Sequence, residues 1–144
     1  MFETLFPLST DVGLLILRLG FALVFIMHGW PKLNPNGPLK GPAGFAGWLR
    51  QMGVPLPMLF AWIVALVETI GAGLVILGLA TRLLAPAFAV IMLVAIWAKR
   101  RFMKVGFTAQ QATGWELDFV LLSAALALVF TGAGALALDP LLGF

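Results

Sequence analysis

Glu68 and Arg18 are the residues whose surroundings most demand a chemical explanation. Glu68 falls near the middle of an apolar run from Leu56 to Leu79, and Arg18 lies inside another such run. A charge buried in a bilayer costs about 2.5 to 3.5 kcal/mol on insertion scales, so it is retained where a partner or a function compensates it. With His28, these two are candidates for a polar core or a proton relay. A second group gathers where apolar runs end: His28, Trp30 and Lys32 close the first, and Trp115, Glu116 and Asp118 open the last. An ammonium or imidazole there can hydrogen-bond a carbonyl, an indole can pack on a ring, and a carboxylate can hold or release a proton. These six are candidates for holding a small molecule.

The elements that would position them follow from composition. Of the 144 residues, 62% are hydrophobic and 10% charged, with mean hydropathy +1.07 and neither Tyr nor Cys. Soluble domains carry about 25% charged residues, so this reads as an integral membrane protein with almost nothing outside the lipid. A span takes about 20 apolar residues, and the whole chain, residues 1–144, reads as one all-α membrane domain, a four-helix bundle. The lack of cysteine excludes disulfides, thiolate redox chemistry and thiolate-held clusters. Residues 1–11 hold no Lys or Arg and no small-residue cleavage motif follows, so a retained first helix is expected rather than a cleaved signal peptide.

The spans are expected at about 12–30, 56–79, 82–98 and 113–130. Ser9, Thr10 and Asp11 are capping candidates for the first, and Pro31 closes it. A Pro- and Asn-rich loop follows, then a short amphipathic stretch, Ala43 to Met52, expected to lie at the interface with Trp48 at headgroup level. Pro86 sits in the first turns of the third span, the basic run Lys99, Arg100, Arg101 and Lys104 stops it, and Gly132 and Gly134 end the fourth.

Four spans put Lys32, Lys40, Arg50, Lys99, Arg100, Arg101 and Lys104 on one side and Arg82 alone on the other. Positive-inside bias then makes the basic loops cytoplasmic and leaves both termini outside. Contact with anionic headgroups accounts for these cations without nucleic acid. Counted from the outer side at 1.5 Å per residue, Arg18 lies roughly 9 Å deep and Glu68 roughly 16 Å. Their pairing inside the bundle is expected, either to orient helices one and two or to line a polar pocket. On the helical wheel Phe25, Gly29 and Lys32 fall within about 40° of Arg18 and His28 about 80° away, which puts Arg18, Lys32 and His28 inward. His28, Lys32, Glu116 and Asp118 can then meet at one level. Plainer roles exist for each: Thr113 with Glu116 fits a T-x-x-E capping box, Lys32 can snorkel to headgroups, and His28 can serve packing. Gly71, Gly73, Gly78, Ala124, Ala125 and Ala127 fit small-residue helix packing.

Metal chemistry is not expected. One histidine excludes bis-histidine haem, and a His28, Glu116 and Asp118 zinc site would lack the two or more histidines that catalytic zinc usually has.

Three strings, RLGFALVFIMHGWPKL from Arg18 to Leu33, VETIGAGLVILGLATRLLA from Val67 to Ala85, and GWELDFVLLSAALALVFTGAGALALD from Gly114 to Asp139, together resemble the DoxX family of small bacterial membrane proteins. The resemblance covers nearly the whole chain. It implies a four-helix membrane bundle in the bacterial inner membrane, linked to thiosulfate:quinone oxidoreductase, terminal quinol oxidase or methylamine-utilisation systems. Carried over by position, Arg18, His28, Lys32, Glu68 and Glu116 match the family's polar pattern. Relatives with cysteine pairs suit disulfide transfer; this chain has no cysteine and departs from them.

The leading expectation is a redox-associated membrane subunit that binds a quinone near the cytoplasmic ends of spans one and four. His28 or Lys32 would meet a carbonyl, Trp30 or Trp115 would pack on the ring, and Arg18 with Glu68 would hold or protonate the site. A redox partner docking at the cytoplasmic side and a homo-oligomer are compatible partners. The alternatives are a non-enzymatic accessory or assembly protein held by a structural Arg18–Glu68 pair, and a small-molecule or proton permease.

Overall fold

The computed structural model describes residues 9–110 and 113–143, and every regular element in them is helical. The segment up to Leu8, read above as the start of an uncleaved N-terminus, lies outside the described residues. Helix α1 is Ser9–Leu33, α2 Gly41–Gln51 and α3 Pro57–Leu66, which continues through a π turn, Val67–Gly71, into α4, Ala72–Leu77. Then follow α5, Thr81–Arg101, α6, Glu116–Thr131, and the short α7, Asp139–Leu142.

Among the described residues, three helices are long and apolar enough to cross a membrane: Thr10–Leu33, Pro57–Leu77 and Thr81–Arg101. Several features differ from expectation, and α5 is one: it runs through Lys99 and Arg100 to Arg101 instead of stopping at Ala98. Pro31 does not end α1, because a proline in the last turn forfeits only one backbone bond, and the helix runs on to Leu33. The last long helix begins at Glu116 rather than Thr113, and no side chain caps it, so the Thr113–Glu116 capping box is not formed. Instead the Glu116 amide donates to the Phe107 carbonyl, 3.1 Å away, and the preceding loop folds over the helix end. The π turn has no counterpart in the expectation; it adds a residue to the turn around Glu68 without breaking the apolar pattern.

Helix α1 packs along the α3–π–α4 helix, and α5 packs along α6. Alanines with no exposed surface, among them Ala22, Ala65, Ala72, Ala85 and Ala125, bring the backbones close, as small residues do where lipid offers no hydrophobic drive. Of the glycines expected to pack, Gly71 sits against Phe88, whereas a side-chain carbon at Gly73 would touch nothing. Gly78 instead ends α4 at φ 66°, with no room for a side chain beside the Arg18 guanidinium and Ala137.

Two apolar clusters form. The larger is centred on Phe21, Phe25 and Phe88, whose ring centroids lie 4.5 to 5.1 Å apart in tilted and edge-on contacts. The smaller joins Phe45, Ala46 and Leu49 of α2 to Ala61 of α3 and Ala98 of α5. After Gly132 (φ 72°) ends α6, the chain folds back across the end of the molecule that holds Arg18 and the start of α5.

Candidate functional site

Between the two clusters lies a cavity of about 1030 Å³, walled by all four long helices and by α2. Its lining is almost wholly apolar, with Phe25, Phe45, Trp48, Met92 and Leu121 among the larger groups. Five titratable side chains enter it: His28, Lys32, Glu68, Lys99 and Asp118.

Glu68 is presented by the π turn and is buried at 1% exposure. Its carboxylate accepts from the Lys32 Nζ, which also lies 5.0 Å from the centroid of the Phe45 ring. This ion pair overturns the expected Arg18–Glu68 pairing. The reason is register: Gly29, eleven residues beyond Arg18 in α1, sits directly against Glu68, so close that it has no room for a Cβ. Eleven residues of helix are about 16 Å, beyond the reach of a guanidinium. Arg18 is instead level with Gly78 at the far end of the same helix pair.

There Arg18, with no exposed surface, donates from Nη2 to the Leu136 carbonyl, and the Asp139 carboxylate lies near enough to act on its charge. Asp139 also accepts from the amides of Ala80 at 2.6 Å and Thr81 at 3.1 Å, capping α5 from 58 residues away. Ala80 is left-handed (φ 54°), a cost for a residue with a Cβ that this bond helps to hold. Asp11 is not a helix cap for α1; it accepts from the Ala135 amide at 2.6 Å and secures the same C-terminal segment.

The second ion pair joins Lys99 of α5 to Asp118 of α6, 2.6 Å apart, and the Lys99 Nζ also donates to the Gly114 carbonyl at 3.0 Å. Sequence reasoning read Lys99 as a topogenic, lipid-facing cation and missed this role. Neither lysine snorkels outward: each turns from its helix end toward a carboxylate.

His28 is the exposed member of the group, and its Nδ1 lies 2.8 Å from the Val24 carbonyl. A carbonyl can only accept, so Nδ1 carries a proton, and whenever the ring is neutral Nε2 is an acceptor. Of the other expected site residues, Trp30 faces outward at 62% exposure and does not line the cavity. Trp115 packs on Phe107 and beneath Arg100, and Glu116 lies beside Gly114; neither reaches the cavity. The aromatic groups that do reach it are Phe25 of α1, Phe45 and Trp48 of α2, Phe60 of α3 and Trp97 of α5. Among the described residues, no three His, Asp or Glu side chains gather as a metal site.

An all-α chain with three bilayer-length apolar helices is a multi-pass membrane protein. It belongs to the DoxX family, whose model matches residues 13–101. It is 33% identical over 133 residues to a Bacillus subtilis protein named "Putative oxidoreductase CatD", covering 92% of this chain and 88% of that one. It is 32% identical over 144 residues to an Escherichia coli protein named "Inner membrane protein YphA", with 93% of each chain covered. A Haemophilus influenzae protein of undescribed function is 33% identical over 126 residues, 88% of this chain and 87% of its own. No solved structure matches the chain.

Proposed function

We propose that this protein is a redox-associated subunit of a bacterial inner membrane that binds a quinone or a similar lipophilic molecule in the central cavity. The cavity itself carries the reading: about 1030 Å³ of apolar lining into which two lysines, two carboxylates and one imidazole converge. Ligand sites are built this way, apolar walls with a few directed polar groups. Lys32 or Lys99 donates to a carbonyl of the bound ring, His28 Nε2 accepts from a hydroxyl, and Phe45 and Trp48 pack on its faces. The oxidoreductase name of the Bacillus relative and the inner-membrane name of the Escherichia one agree with this assignment.

The same reading makes α6 a fourth span. At 16 residues it is about 24 Å long, but it starts at the level of Lys99, through Asp118, and ends beside Arg82, which donates to the Phe130 carbonyl at 3.4 Å. It therefore runs back along nearly all of α5. Four spans with the basic loops inward put both termini outside, and the cytoplasmic face offers a cationic surface to a redox partner.

The test is mass spectrometry with an absorption spectrum of the protein purified in mild detergent. Near-equimolar quinone in wild type, falling at least several-fold in His28→Ala and Glu68→Gln, is the expected result. Protein carrying only ordinary phospholipid would transfer the assignment to an accessory protein, a reading favoured by the fact that each ion pair ties two long helices together inside the bundle.

A further inference from the structure

We infer that the cavity takes the uncharged polar head of a single long-chain molecule, whose tail passes into the bilayer through a window between α3 and α5. This rests on the cavity being a ligand site and not on the ligand being redox-active.

The window is defined by how α5 leaves its neighbour. Helix α5 meets the π turn and α4, but approaches α3 only sparsely. Below, the gap is closed again where Phe45 and Leu49 of α2 cluster with Ala61 and Ala98. Between these closures, Phe60 and Ile63 on α3 face Val90, Val94 and Trp97 on α5. All five line the cavity, yet they are 40 to 58% exposed. On the opposite wall the lining residues Phe25 and Leu121 are buried. The spacing of Val90, Val94 and Trp97 puts them on one helix face, so the exposed lining forms a lateral stripe along an apolar helix. An opening of this kind faces acyl chains rather than water, and what fits it is a hydrocarbon tail.

Charge sets the head. Each cavity ammonium already has its carboxylate, Lys32 with Glu68 and Lys99 with Asp118. A phosphate or carboxylate head would have to take a lysine from its partner and leave a buried carboxylate uncompensated. A carbonyl or hydroxyl can be added to the existing pairs without breaking them.

The probe is a sixteen-carbon alcohol with a diazirine near the hydroxyl, photolysed with the protein in nanodiscs and mapped by peptide mass spectrometry. Wild type is expected to label at Phe25, Met92 or Leu121 inside the cavity. The corresponding fatty acid should label these positions several-fold less. In Val90→Trp/Val94→Trp, cavity labelling should fall at least five-fold while the outward residues Ile16 and Leu23 stay labelled as in wild type. The inference is overturned by labelling confined to outward residues, by the acid labelling as well as the alcohol in wild type, or by a second copy of the chain covering the window. That last outcome would appear as a Val94→Cys disulfide dimer with an unlabelled cavity. Cavity labelling in a protein that retains no quinone would remove the redox reading and leave this one standing.

Discussion

Glu68 illustrates how a buried charge selects its partner by register rather than by sign. Lys32 and Arg18 share one face of α1, and either would neutralise it; only Lys32 is within reach. Removing one member of a buried pair leaves the other uncompensated, at a cost of roughly 3–5 kcal/mol. Lys32→Met should therefore lower the stability of the detergent-solubilised protein strongly, and Lys32→Met/Glu68→Leu should recover much of the loss in the same unfolding assay. The charge swap Arg18→Glu/Glu68→Arg should rescue nothing, since the two never meet. Gly29 sets the contact that brings Glu68 into place, and Gly29→Ala should cost about 1–3 kcal/mol by forcing α1 away from the π turn. The sequence marked Arg18 and Glu68 as needing compensation, because a charge in an apolar run is visible one residue at a time. It did not identify the partners, because the depth difference counted from assumed helix ends was short by about 9 Å, nearly two turns. Asp139 and Lys99 were missed for a related reason: each lies just past an apolar run, where a charge has an ordinary solvent explanation.

At the scale of elements, the π turn and the capped start of α5 are the two departures from plain helix. A π turn adds one residue to an α turn, so deleting Ile70 should restore α geometry and shift Glu68 against Lys32. The expected outcome is a folded protein of normal helical content by circular dichroism that no longer retains the quinone proposed for wild type. Asp139 caps α5 through Ala80 and Thr81, and caps of this kind are worth about 0.5–2 kcal/mol. Asp139→Ala should destabilise by that amount or more, because Arg18 loses its nearby carboxylate too. The positions of the long helices were legible from hydropathy, since burial in lipid writes itself as continuous apolar sequence. The π turn was not, because Val67–Gly71 is apolar enough to fit either helix type.

For the whole molecule, the ends differ in kind. One is closed by the C-terminal segment over Arg18; the other holds the basic loops and the cavity's charged groups. With no native cysteine, single-cysteine probes report sidedness without background. Lys104→Cys should react with an impermeant maleimide only in inside-out vesicles, and Gly143→Cys only in intact cells. Reaction of both from the same side would overturn the four-span reading.

The bond from Arg18 to the Leu136 carbonyl also carries a timetable. Its two ends are 118 residues apart. At about 5–20 residues per second of synthesis, Arg18 is made roughly 6 to 24 s before its acceptor exists. During that interval the first helix holds a cation without its final acceptor, which favours a position where water or headgroups still reach it. Final burial of Arg18 thus waits on the synthesis of Leu136, and a ribosome stalled short of that residue would leave the guanidinium without this acceptor.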